Sequence, residues 1–197
     1  MNANELLKET KELVAEAIDL TGDIVPIVGA ITNFARRKRF TKRINAHEKK
    51  LKDIFYYISQ SDVEYFAEKI GTMVFEKIMN DQEDDKAEFL VLGFENCVKN
   101  EIKDDDLIIY YFDLLTELRV MDLKRFVSLS RRHGHTPILP IMDSDEEMLI
   151  ESSDSKLYRM GLITAKMSWS TESGEKINSS TISISKKGNL FLDFIGF

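Results

Sequence analysis

Three prolines and nine glycines in 197 residues leave long stretches of this chain free to be helical. Proline lacks the amide hydrogen that a helix interior needs, and glycine there costs about 1 kcal/mol relative to alanine. The chain uses that freedom until Leu157, where its character changes. Leu157-Tyr158-Arg159-Met160-Gly161-Leu162-Ile163 leads into a polar stretch around Gly174 and the alternating run Thr181-Ile182-Ser183-Ile184-Ser185. Lys186-Lys187-Gly188 and the apolar Leu190-Phe191-Leu192-Asp193-Phe194-Ile195 close it. A short helix, a two-stranded hairpin and a closing helical turn make a winged-helix-like order. The expected fold is therefore mainly α, a helical bundle followed by a small C-terminal winged-helix-like α+β module.

Apolar spacing places the helices. Leu6, Leu7, Leu13, Val14, Ala17 and Ile18 recur at helical intervals, and Thr21-Gly22-Asp23 ends that segment. Pro26 suits the first turn of a second helix, which the pattern carries through the basic run to about Ser59. Ser61-Asp62-Val63-Glu64 reads as a capping box with Ser61 as the cap, ahead of Phe66, Ile70, Met73, Val74 and Ile78. The acidic stretches Asp81–Asp85 and Asp104–Asp106 precede two further apolar runs, where negative charge suits the positive end of a helix. Another helix spans about Asp122 to Arg132, and Gly134, Pro137 and Pro140 then interrupt helical patterning. The expected organisation is a bundle over 1–132 (N-terminal helices over 1–59, core helices over 61–132), a linker over 133–144 and the module over 145–197. Phe55-Tyr56-Tyr57 and Ile108-Ile109-Tyr110-Tyr111-Phe112 are apolar all round, which marks a central helix or a subunit interface. A central place is expected for Ile108–Phe112, and self-association stays open.

Composition bounds the setting. With 43% hydrophobic and 31% charged residues the chain has the balance of a globular protein. Its single cysteine, Cys97, has no internal disulfide partner and falls in an apolar helical pattern, as expected of a buried thiol in a reducing cytoplasm. The N-terminus lacks the pattern of a secretory signal. The apolar segment from Ile24 to Ala35 is about a dozen residues, short of the roughly 20 that a spanning helix needs. A formal net charge of -7 argues against indiscriminate coating of nucleic acid.

Charge is nonetheless concentrated. Arg36, Arg37, Lys38 and Arg39, extended by Lys42 and Arg43, follow directly on the apolar segment. Such cations can meet lipid phosphates at a peripheral membrane surface, track a nucleic-acid backbone, or belong to a structural helix whose apolar start packs in the core and whose basic stretch is solvated or faces the acidic connectors. In the tail, Lys156 and Arg159 are too few for base readout, and together with Trp169, a candidate anchor, they are the candidates for binding a protein partner. His133-Gly134-His135 lacks the spacing of a metal motif, and no catalytic elbow, phosphate loop or His-Glu-x-x-His pattern occurs. No cofactor is expected, and a non-enzymatic role is.

Four stretches together carry a resemblance. These are Asp23-Ile24-Val25-Pro26-Ile27-Val28-Gly29-Ala30, Glu83-Asp84-Asp85-Lys86-Ala87-Glu88-Phe89, Leu157-Tyr158-Arg159-Met160-Gly161-Leu162-Ile163 and Ser185-Lys186-Lys187-Gly188. Their arrangement resembles uncharacterised bacterial and prophage-borne helical proteins with a winged-helix-like end, and more loosely the abortive-infection alpha family. The resemblance implies phage–host conflict or mobile-element regulation and brings no catalytic residues. The basic run from Arg36 to Arg43 is not part of it. The expectation is a cytoplasmic protein-interaction module in that setting. A membrane-associated abortive-infection effector acting through 24–43 and a nucleic-acid-binding regulator are the alternatives.

Overall fold

The computed structural model describes residues 26–134, 144–170 and 174–197, with Asn4, Glu5, Leu7, Lys8, Glu9 and Glu12 of the N-terminal stretch. The chain is mainly helical, with short antiparallel strands near its C-terminus. It divides into two compact units, Met1–Thr116 and Glu117–Phe197. The division falls well before the expected linker at 133–144, most of which lies outside the described residues.

In the first unit, α1 spans Pro26–Ala46 and α2 spans Glu48–Ile58. One continuous helix was expected here. A break at His47, with φ -113° and ψ 15°, separates the two, and the His47 N–H closes a tight turn on Ile44 O at 3.1 Å. A π-helical segment, Glu64–Gly71, runs directly into α3, Thr72–Asn80. The cap is Asp62 rather than Ser61: the Tyr65 N–H donates to Asp62 Oδ1 at 3.1 Å and the Phe66 N–H to Asp62 O at 3.0 Å.

The π-helical turn has a cause in the side chains. Phe66, Ile70, Val74 and Ile78 form one buried row, and Ala67, Gly71, Phe75 and Met79 form the next. A strict four-residue repeat on an α-helix rotates by about 40° per step, because four residues exceed one 3.6-residue turn. The wider turn made by i→i+5 hydrogen bonds holds both rows toward the core.

Two more helices belong to this unit, α4 at Lys86–Lys99 and α5 at Asp105–Glu117, whose last residue falls in the second unit. Asp104 caps α5 by accepting from the Leu107 N–H at 3.0 Å. Helix α2 packs on α4, α1 on α3, and α3 on α4. Phe75 is the hub, its ring centroid 6.1 Å from both Phe40 and Phe55, while Phe55 meets Phe94 at 6.1 Å. Each such fully buried ring contributes about 1.5–3 kcal/mol. The expected central place for Ile108–Phe112 is not found. Ile108, Tyr111 and Phe112 are buried, but Leu107, Ile109 and Tyr110 on the other side of α5 are exposed.

The second unit begins with α6, Val120–Ser130, and α7, Asp145–Arg159, which pack together. Ser144 caps α7 by accepting from the Glu147 N–H at 3.2 Å. Among the described residues four short strands follow: β1 Ile163–Thr164, β2 Met167–Ser170, β3 Gly174–Ile177 and β4 Ser183–Ile184. They form two separate antiparallel ladders, β1 with β4 and β2 with β3. The chain closes with α8, Lys186–Phe194, capped by Ser185, whose Oγ accepts from the Gly188 N–H at 2.9 Å. Phe126 of α6 stacks on Phe191 of α8 at 5.9 Å. Gly188 permits this closure: a Cβ there would lie 2.1 Å from Leu162 O.

Candidate functional site

The basic run lies on α1, and the helix divides it by face. Phe40, Arg43 and Ile44 point inward, while Arg37, Lys38, Arg39 and Lys42 are exposed. Arg43 is a structural residue. Its Nε donates to Asp84 Oδ1 at 2.9 Å, and its Nη1 donates to Ile78 O at 2.6 Å and Asp81 O at 2.8 Å. It thereby satisfies carbonyls that the end of α3 leaves without helical partners. Lys42 donates to Asp84 Oδ2 at 2.7 Å, and Arg36 donates to Asn80 Oδ1. The Lys42 ammonium and the Arg43 guanidinium hold the Asp84 carboxyl below its ordinary pKa. Three of the six cations thus tie α1 to the corner after α3. Lys38 and Arg39 have no partner among the described residues. The apolar segment that precedes them, for which a place in the core and a place against lipid were the alternatives, has its side chains outside the described residues up to Phe34.

In the second unit the candidates separate more sharply. Lys156 is engaged internally: its Nζ donates to Glu117 O at 2.6 Å and to Asp122 Oδ2 at 3.0 Å. Arg159 is exposed, with no partner among the described residues. Around Lys156 the seam between α6 and α7 is polar. Ser153 Oγ donates to Asp122 Oδ1 at 2.6 Å, and Arg125 grips Asp154 through Nε and Nη2, both at 2.8 Å. Burial pushes the Asp122 carboxyl up, but hydrogen bonds from Ser153, the Arg119 N–H and Lys156 outweigh it, so the group lies below its ordinary value. These four residues were not singled out from the sequence. Asp122 and Arg125 share one face of α6, a spacing that could have flagged them.

Trp169 is the opposite case, being 81% exposed. Side chains alternate along a strand, so its face of the hairpin also carries Met167 and, on β3, Ile177 opposite Met167 and Glu175 opposite Trp169. The other face carries Ser168 and Lys176, directly paired, and Lys176 Nζ reaches Glu151 of α7 at 3.2 Å. Strand β3 packs against α7. The ribbon is therefore turned outward: the face with Met167 and Trp169 looks to solvent, and the face with Lys176 carries the tie to the helix. Met167 was legible from the alternation Met167-Ser168-Trp169-Ser170.

Among the described residues no group of three or more His, Cys, Asp or Glu side chains is placed to hold a metal ion. Of the His133-Gly134-His135 pair, His135 lies outside the described residues. Burial pushes the Cys97 thiol up to about 12, which keeps it protonated and unreactive at neutral pH. Among the described residues no helix is long and apolar enough to cross a membrane. No family model, curated protein or solved structure matches the chain.

Proposed function

We propose that the chain is a non-enzymatic protein-interaction module acting in the cytoplasm, in phage defence or prophage regulation. Its gripping element in this reading is the wing-like β2–β3 hairpin of a winged-helix-like C-terminal unit. The observation that supports it is Trp169, 81% exposed beside an exposed Met167 on the outward face of that hairpin. A tryptophan carries about 150–250 Å² of surface, so covering the exposed part is worth about 3–5 kcal/mol at about 25 cal/mol per Å². That is the scale of an interface hot spot. Capture from the native host with the wild-type chain and a Trp169→Ser variant tests the proposal. A protein enriched by the wild type and lost with the variant supports it; equal recovery, or no specific partner, counts against it.

The exposed Lys38 and Arg39 favour a second reading, contact of α1 with a nucleic-acid or anionic lipid surface. Such binding would weaken steeply between low and moderate salt, and a flat salt dependence would remove it.

A further inference from the structure

We infer that the occupant of the hairpin is a second copy of this chain, joined edge to edge along β2 about a two-fold axis at Ser168. The inference rests on the reading of the hairpin as an interaction element. It starts from the phase of the ladder. The Asn178 N–H donates to Lys166 O at 2.9 Å, and Met167 lies opposite Ile177 with Ser168 opposite Lys176. In an antiparallel ladder, residues alternately bond inward and outward. Ser168 therefore bonds to β3, while the N–H and C=O of Met167 and Trp169 point away from it. Those groups have no partner among the described residues.

The two edges of the ribbon are not equivalent. Strand β3 carries Glu175 and Lys176 and packs against α7. Strand β2 reads Met-Ser-Trp-Ser, with no charge and no proline. Exposed edges are ordinarily protected by lysine, proline or a bulge, and β2 has none of these within its span. An isolated two-stranded ribbon is also marginal in water, while a wider sheet with an apolar face is not.

Self-pairing of β2 is complementary in register. A two-fold at Ser168 sets Met167 opposite Trp169 of the second copy and Trp169 opposite its Met167, using the outward backbone groups of both. Each pair is a thioether–aromatic contact of the kind that favours association. Lys166 falls opposite Ser170 of the second copy, so no like charges meet across the strands. The product is a four-stranded sheet whose outward face carries Met167 and Trp169 of both copies at its centre, with Ile177 and Glu175 of each copy at its edges. Its small extent places it with transient contacts.

Charge placed on the axis tests this directly. Ser168 is exposed but lies opposite Lys176 in its own hairpin, so Ser168→Lys and Ser168→Glu are compared after thermal melts matching the wild type show that the added charge leaves the hairpin intact. Sedimentation velocity of the full chain over a concentration series should show wild-type dimers. Each charged variant should associate about fivefold more weakly, because like charges then face each other across the axis. An equimolar mixture of the two variants should recover dimer, as a lysine then faces a glutamate. Wild type that stays monomeric, or variants that dimerise as well as wild type, would overturn the inference. The reading it rests on is separable. If the wild type is monomeric yet Trp169→Ser abolishes capture from the host, an extended strand of another protein occupies the edge and only self-pairing falls. If capture is absent as well, both fall.

Discussion

Replacing Asp154 by Asn should destabilise the second unit by about 3–5 kcal/mol, the cost of leaving one member of a buried ion pair uncompensated. The magnitude follows from the geometry. Arg125 and Asp154 side chains are 5% and 2% exposed, and two hydrogen bonds of 2.8 Å join them. Unit charges about 4 Å apart attract by about 4 kcal/mol at an effective dielectric of about 20. The introduced amide would keep the volume and lose the charge, so the buried Arg125 guanidinium would lose the carboxylate that accepts from it at 2.8 Å. At about 2–4 °C per kcal/mol for a chain of this size, the melting temperature should fall by about 6–20 °C. Circular dichroism melts at neutral pH, repeated with Arg125→Met/Asp154→Leu, separate two explanations. If the single variant suffers from an orphaned charge, the double apolar variant recovers most of the loss, since replacing a whole buried pair is often neutral. A single variant within about 1 kcal/mol of wild type, or a double variant equally damaged, would refute the reasoning.

Other perturbations follow from the same packing. Gly188→Ala should cost about 1–3 kcal/mol or more, because its Cβ would meet Leu162 O at 2.1 Å and backbone cannot yield as a side chain can; urea unfolding measures it. Arg43→Met should cost about 2–3 kcal/mol by orphaning the Ile78 and Asp81 carbonyls, whereas exposed Arg39→Ser should stay within about 0.5 kcal/mol. Stability should also fall in acid. The Asp122 carboxyl lies below its ordinary value when folded, so its contribution is complete above about pH 4 and is lost as pH drops through the folded value. Burial likewise holds His47 below its ordinary value, so protonation in the unfolded state removes stability as pH falls below about 6.5. Urea midpoints from pH 7 to pH 3 should decline, and Asp122→Asn should flatten the acid end of the decline.

Much of the helical layout was legible because burial follows period. Phe89, Leu90, Phe94, Cys97 and Val98 are buried as their spacing implies, and Asp104 caps α5 where acidic residues precede an apolar run. Boundaries set by single hydrogen bonds were less legible. The cap moves from Ser61 to Asp62, and the helix expected from Pro26 to about Ser59 breaks at His47, because tertiary contacts choose among locally similar starts and stops. In the basic run the helix decides which cations stay in solvent: α1 turns Arg43 into the interior and sends Lys42 to Asp84 and Arg36 to Asn80, residues about 40 positions away, so part of the run faces the acidic connector, as the structural reading of the helix implies. Trp169 was visible as a candidate, yet only the strand register reveals that Met167 and Ile177 share its face.

Trp169 is the single tryptophan of the chain, so indole fluorescence reports on this one side chain. Quenching by acrylamide should be that of a solvated indole in the dilute free protein, where the ring is 81% exposed. If the hairpin is the gripping element, the quenching constant should fall as protein is concentrated into dimer or as a captured partner is added. An indole that stays equally accessible while sedimentation shows the complex forming would contradict the hairpin as the contact.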